Sequence, residues 1–228
     1  MASISQLVSE IAHSLQQPDS VPVRRGIALD IIHARNRLIR HSFEQHNIVD
    51  KVLQQRYNVT LINCPDGDVY GTKDTYKDLG LGTIKRSEHR VPRPVRLTNG
   101  LPFLSVRTLG VENPVEIAYA PEASSKFYAK LPGFCSKITY DYINQYLYIN
   151  ILNNPNFADL GKVVVESPFE VPFKLDDNHF DSEGNYTEDS DFIISEDMVL
   201  DIKKLVLESF NPNVVRETEE IPNPNLVK

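Results

Sequence analysis

The stretch VRRGIALDIIHARNRLIRH, residues 23–41, constrains the fold of this chain more than any other, because it sets five arginines into an otherwise apolar helical pattern. At helical spacing Ile27, Ala28, Ile31, Ile32, Ala34, Leu38 and Ile39 share an apolar sector of roughly 160°, wider than the ~100° stripe of a helix that covers one side of a core. Such a helix needs neighbours on two sides. Arg25, His33, Asn36, Arg37 and Arg40 fall on the opposite face. Arg24 and Arg35 project from the middle of the apolar sector, where a guanidinium must reach the rim along its aliphatic stem or meet a carboxylate. The five arginines are therefore not one population.

Pro22 suits the first turn of this helix, and the periodicity runs through Phe43 towards Val52. A shorter helix is expected before it, over about residues 4–16, with Ser3 as cap and Gln6 in the capping-box position. Leu7, Ile11 and Leu15 lie on its apolar face, and Pro18 ends it. From Tyr57 the pattern changes to short extended runs: VTLI (59–62), GTIKRS (82–87), LSVRTL (104–109), VEIAY (115–119) and KVVVES (162–167). KITYDYI (137–143) and YLYINI (146–151), joined by Asn144-Gln145, read as a hairpin with its tyrosines on one face. Ser195 then caps a last helix, with Glu196 and Asp197 in its first turn and Met198, Ile202, Leu205 and Val206 on its apolar face. Asn211-Pro212 stops it.

The expected fold is α+β, with N-terminal helices and a C-terminal helix flanking a β-rich, mainly antiparallel middle that carries the tyrosine-lined hairpin. Three regions follow: a helical region 1–57, a β-rich domain 58–194 with an acidic loop at 176–191, and a C-terminal helix with an extended tail over 195–228.

The hydrophobic content, 41%, allows a substantial core. No apolar run approaches the ~20 residues that span a bilayer. The first residues, MASISQLVSEIAHSLQQ, do not read as a signal peptide, because they lack a basic start and an unbroken apolar stretch. Cys64 and Cys135 form neither a zinc-like set nor a disulfide framework, which points to a reduced, intracellular site of synthesis. The net charge of −7 hides an asymmetry: residues 166–228 hold 5 Lys/Arg against 16 Asp/Glu, while residues 1–165 are slightly positive. A chain so divided can attract its own copies.

Motifs for chemistry fail. Gly80-x-Gly82 lacks a third glycine, and Gly71-Thr72-Lys73 lacks the upstream glycine of a phosphate loop. Placing Gly184 at the invariant glycine of a calcium loop puts His179 and Ser190 at ligand positions that need carboxylates. Asp66 and Asp68, either side of Gly67, read as a turn. His33, His41 and His46 miss the i, i+4 spacing of a helical zinc pair. No nucleophile motif is present, and Cys135 reads as core. The expectation is a chain that is not an enzyme, with no catalytic, metal or cofactor site. An enzyme with a metal-supported acidic site in residues 176–191 is the weakest rival.

A second basic cluster, IKRSEHRVPRPVRL (84–97), displays Lys85, Arg86, Arg90, Arg93 and Arg96 against the single acid Glu88. Its prolines hold it extended as a semi-rigid arm or strand edge. Its charges alone permit phosphate contact, and a nucleic-acid-binding regulator is the alternative function. The aromatic interleaving that single strands want is absent from the cluster. Residues 176–201, by contrast, offer ten carboxylates on the same polypeptide. Subunit or partner contact is therefore the favoured use of the arginines.

The order of these parts — the arginine-rich helix, R-V-P-R-P-V-R-L, G-L-P-F-L-S-V (100–106), the tyrosine hairpin and F-I-I-S-E-D-M-V-L-D-I-K-K-L-V-L (192–207) — resembles the head-to-tail connector, or neck ring, proteins of short-tailed, crAss-like bacteriophages. The resemblance implies a structural protein of the virion, made in the host bacterial cytoplasm, with no membrane contact. It implies identical subunits in a ring, twelve in related necks, docked on the portal protein and on other neck or tail rings. Genomic DNA would pass through the lumen without sequence-specific binding. Arg24, Arg25, Arg35, Arg37 and Arg40 of the helix, and Lys85, Arg86, Arg90, Arg93 and Arg96 of the arm, are the expected subunit or partner contacts. Arg24 and Arg35 would anchor on carboxylates, and Arg25, Arg37 and Arg40 would meet an acidic neighbouring surface.

Overall fold

The computed structural model describes residues 3–65, 68, 83–109, 114–121, 138–151, 155–172 and 192–210. Expectations for the acidic loop 176–191, the tail after Phe210, Cys135 and the turn at Asp66-Gly67 fall outside these residues. The chain divides into two compact units, one helical and one built on a sheet.

In the helical unit, α1 spans Ile4–Ser14. Its capping box is formed as expected: the Gln6 amide donates to Ser3 Oγ at 3.2 Å, and the Ser3 amide donates to Gln6 Oε1 at 3.2 Å. Helix α2, Val21–His46, begins with its proline in the first turn and ends where Asn47 turns left-handed at φ 55°. That stop precedes the expected extension towards Val52. Helix α3, Glu196–Phe210, opens with Glu196 and Asp197. The wide apolar sector of α2 is explained by two neighbours, since both α1 and α3 pack on it. Ile27, Ile31 and Ala34 of α2 are buried with Leu7 and Ile11 of α1, Ile202 and Val206 of α3, and Phe192 and Ile194 ahead of α3. Ser209 Oγ donates to Asp30 Oδ2 at 3.0 Å, joining α2 to the end of α3.

The second unit is a seven-stranded sheet. Its strands are β1 (Gln55–Asn63), β2 (Thr83–Ser87), β3 (Ser105–Leu109), β4 (Ala118–Tyr119), β5 (Ile138–Ile143), β6 (Tyr146–Ile151) and β7 (Lys162–Ser167). The order across the sheet is β3-β7-β1-β2-β6-β5-β4. Every pairing is antiparallel except β4 with β5. The fold is α+β, with helices at both ends of the chain. Strands β1 and β7 alternate buried with more exposed residues, as a sheet with one solvated face requires. Strands β5 and β6 are mostly buried on both faces.

The hairpin forms at the expected place, with Asn144 and Gln145 both at positive φ, 52° and 67°. This two-residue turn sets the register Ile143↔Tyr146, Tyr142↔Leu147, Asp141↔Tyr148, Tyr140↔Ile149. Paired residues share a face, so Tyr140 and Tyr142 lie on one side of the hairpin and Tyr146 and Tyr148 on the other. The single tyrosine face expected from the sequence is corrected by that parity.

Candidate functional site

The arginines take three kinds of position. Arg35 is fully buried in the helical unit. Its Nε donates to the Ile193 carbonyl at 2.8 Å, and Nη1 donates to Asn36 Oδ1 at 3.2 Å. The guanidinium carbon lies 6.0 Å from the centroid of the Phe192 ring, within reach of a cation–π attraction. Asn36, placed on the polar face by its helical angle, is buried beside it. Arg24 donates to the Pro18 carbonyl at 3.2 Å and to Ser9 Oγ at 3.0 Å, tying the start of α2 to α1. In both of these contact sets a main-chain carbonyl accepts from the guanidinium.

Arg25, Arg37 and Arg40 are exposed on α2. Val21, Arg25, Leu29, His33 and Arg37 follow one another at i, i+4 spacing, so they make one ridge. Val21 and Leu29 stand out on it at 57% and 59% exposure. The ridge carries two apolar side chains, Val21 and Leu29, with Arg25 between them and His33 and Arg37 after them.

The arm divides as well. Lys85 is buried, and its ammonium donates to the Leu160 carbonyl at 2.8 Å. Arg86 pairs with Asp68 at 2.6 Å, and the Tyr148 hydroxyl donates to the same carboxylate at 2.9 Å. The Tyr146 ring lies 4.5 Å below the Arg86 guanidinium carbon. Burial alone would lower the Arg86 pKa, but the hydrogen bond and charge of Asp68 raise it above its ordinary value. Lys85 and Arg86 thus hold the sheet unit together.

Arg90, Arg93 and Arg96 remain, all exposed, while Val91 and Val95 between them and Leu97 just after them are buried. The exposed positions recur every third residue, the period of a polyproline II turn. Main-chain bonds fix the arm along both sides. The Val91 amide donates to the Gln145 carbonyl at 2.7 Å, the Val95 amide to the Pro168 carbonyl at 2.8 Å, and the Glu170 amide to the Arg93 carbonyl at 2.8 Å. The Tyr142 hydroxyl donates to the Val91 and Pro92 carbonyls at 3.0 and 3.3 Å. With the Gln145 amide oxygen turned towards it, Arg93 donates from Nε at 3.1 Å and from Nη2 at 3.0 Å.

The three arginines line a groove of about 690 Å³, whose walls include Tyr119, Tyr142, Asn144, Gln145 and Glu170. Tyr142 packs edge-on against Phe103, with ring centroids 4.8 Å apart. Burial pushes its pKa up to about 12, against the lowering influence of Arg93. Tyr119 is also raised, by burial and then by Asp141. The aromatic neighbours missing from the arginine cluster in sequence are therefore supplied in space by β4 and β5. Tyr119, Tyr142 and Glu170 carry no local signal for this role, since long-range pairings bring them to the arm. Among the described residues, the groove sets three exposed arginines on a hydrogen-bonded main chain with the Glu170 carboxylate beside them.

Among the described residues no group of three His, Cys, Asp or Glu side chains could hold a metal ion. No helix of the described residues is long and apolar enough to cross a membrane. A family model described as phage tail ring protein 2, of crAss-like phages, matches residues 6–225. No curated protein gives a significant match.

Proposed function

Because the chain belongs to the crAss-like phage tail ring protein 2 family, a structural family of the virion, we propose that its copies close into a ring in the phage neck that links the portal to the tail and surrounds the DNA channel. The family match over residues 6–225 is the observation that carries this reading. Two surfaces support it. The α2 ridge joins exposed Val21 and Leu29 to Arg25 and Arg37, and arginine is enriched where proteins meet. The arm presents Arg90, Arg93 and Arg96 away from the core, while residues 166–228 carry the acids that would answer them. In a ring, one patch of each copy meets a different patch on the next, so opposite charges on one polypeptide can close the circle. The role is mechanical and electrostatic: no bond is made or broken, and DNA passes through without being read. Synthesis takes place in the host cytoplasm.

The proposal is tested by electron cryo-microscopy of purified virions. A closed ring of this chain between portal and tail is the expected image. Density for the chain elsewhere on the particle, or none at all, would remove the reading.

A nucleic-acid-binding role keeps one specific support, the approach of Tyr119 and Tyr142 to the arginine groove. It requires binding of free DNA or RNA that falls steeply as salt rises, whereas the ring reading requires weak binding of free DNA.

A further inference from the structure

We propose that the groove under Arg90, Arg93 and Arg96 receives an extended acidic segment, residues 176–191, from a neighbouring copy of the chain. The inference rests on the ring reading, which supplies the neighbour, and it names the contact by which one copy grips the next.

The geometry of the arm is the first support. Its main chain is bonded to the hairpin turn on one side and to residues 168–170 on the other, so its arginines are displayed from a fixed rail. Three residues of polyproline II rise about 9 Å, so the arginines stand at intervals along roughly 19 Å of arm. About six residues of extended peptide cover that length. Residues 176–191 carry seven carboxylates and no lysine or arginine. Asp181 with Glu183, and Asp189 with Asp191, sit two apart, which puts each pair on one side of an extended chain. The rail thus matches in length a six-residue run of this segment, such as 176–181 with Asp176, Asp177 and Asp181, or 186–191 with Glu188, Asp189 and Asp191.

The second support is the composition of the walls. Glu170 lines the groove beside Arg93, and Asn144 and Gln145 line it at the hairpin turn. A peptide brings amide N–H groups, which the Asn144 side chain at the turn can accept, along with its carboxylates. A phosphate backbone brings acceptors alone, and the charge of Glu170 opposes it as it opposes the peptide's carboxylates, so the difference between the two lies in the peptide's N–H groups. Tyr142 does not serve as a free stacking platform: its hydroxyl is bound to arm carbonyls, and its ring is set against Phe103. Arg93 is already oriented by Gln145, so less side-chain freedom is lost when a carboxylate arrives. These features favour an acidic peptide over nucleic acid.

The test titrates a labelled peptide of residues 175–191 into the full-length protein, with the chain's own acids in 176–191 changed to Asn and Gln so that they do not compete. Saturable binding is expected, and it should weaken several-fold between about 50 and about 300 mM salt. Arg90→Gln, Arg93→Gln and Arg96→Gln together should weaken it about tenfold or more, the sum of three partly exposed pairs. Arg37→Gln on α2 should leave it unchanged. A peptide with lysine at its acidic positions should bind the Arg93→Glu, Arg96→Glu variant better than it binds the parent chain, a result that misfolding cannot mimic. Absence of binding, binding indifferent to the triple variant, or displacement of the peptide by single-stranded DNA at a lower concentration than by unlabelled peptide would each overturn the proposal. If virions show the ring while the peptide fails, the groove assignment falls alone. If the ring itself is missing, the neighbouring copy goes with it, and so does the proposal.

Discussion

The Arg35 guanidinium lies wholly inside the helical unit, where an unpaired cation would be strongly unfavourable. The Ile193 carbonyl and Asn36 Oδ1 accept from its planar fork, and the Phe192 ring lies alongside. The arginine thereby ties α2 to the chain entering α3. Arg35→Ala removes the donor and leaves a void, and should cost about 3 kcal/mol of stability, from an orphaned carbonyl and a cavity together. Arg35→Met restores most of the volume and should cost less than half of that. Urea unfolding of the two variants checks both; equal losses would show that the void contributes nothing. The sequence singles out Arg35 by its position in an apolar sector, because periodicity reports direction. It leaves the partner unnamed, since the Ile193 carbonyl is 158 residues away in sequence.

At the scale of elements, α2 and α3 approach closely at Gly26. A Cβ built there would lie 3.4 Å from Cζ of Phe210, an ordinary contact. Gly26→Ala should therefore raise stability by up to about 1 kcal/mol through helix propensity. Gly26→Ile should lower it, because the added carbons enter the Phe210 ring. Thermal unfolding of the pair gives the sign directly. In the sheet, burial pushes Tyr57 and Tyr142 up to about 12, and Tyr140 and Tyr148 are raised as well. The folded chain holds these phenolic protons more tightly than the unfolded chain, whose tyrosines titrate near 10.0. This stabilisation is complete below about pH 10 and is lost as pH rises through about 12. Urea midpoints should fall over that window, and part of the phenolate absorbance of the ten tyrosines should rise only with unfolding; titration of the full complement near pH 10 without loss of structure would contradict the burial.

Helix starts were legible because capping residues and prolines act locally, as at Ser3 and Pro22, whereas α2 stops at a left-handed Asn47 short of the expected run towards Val52. Strand positions were legible from runs of β-branched and aromatic residues, although the run at 115–119 pairs as a strand only over Ala118–Tyr119. The faces of the hairpin follow from the parity of its two-residue turn, and reading each strand by its own alternation hides that. The groove depends on pairings that cross the sheet, so its arginines were visible in sequence and its walls were not.

At the scale of the whole molecule, the exposed and internal cations divide the labour. Arg24, Arg35, Lys85 and Arg86 bond within the chain, Arg93 bonds to Gln145 from an exposed position, and Arg25, Arg37, Arg40, Arg90 and Arg96 are exposed. Arg37→Glu with Arg40→Glu should leave the unfolding midpoint of the free protein unchanged, because exposed positions bear little on stability. The same change should abolish incorporation into particles, measured by the copy number of the chain in purified virions. Loss of folding in that variant would place the two arginines in the core after all.

The central claim is that this polypeptide works by binding copies of itself within one ring and by seating that ring on the portal. Native mass measurement of the purified chain, alone and mixed with the portal protein, tests it most directly. The account predicts one discrete complex in which many copies of the chain sit on the portal assembly, dissociating as salt is raised. A chain that remains solitary at every ratio of portal to protein would contradict it.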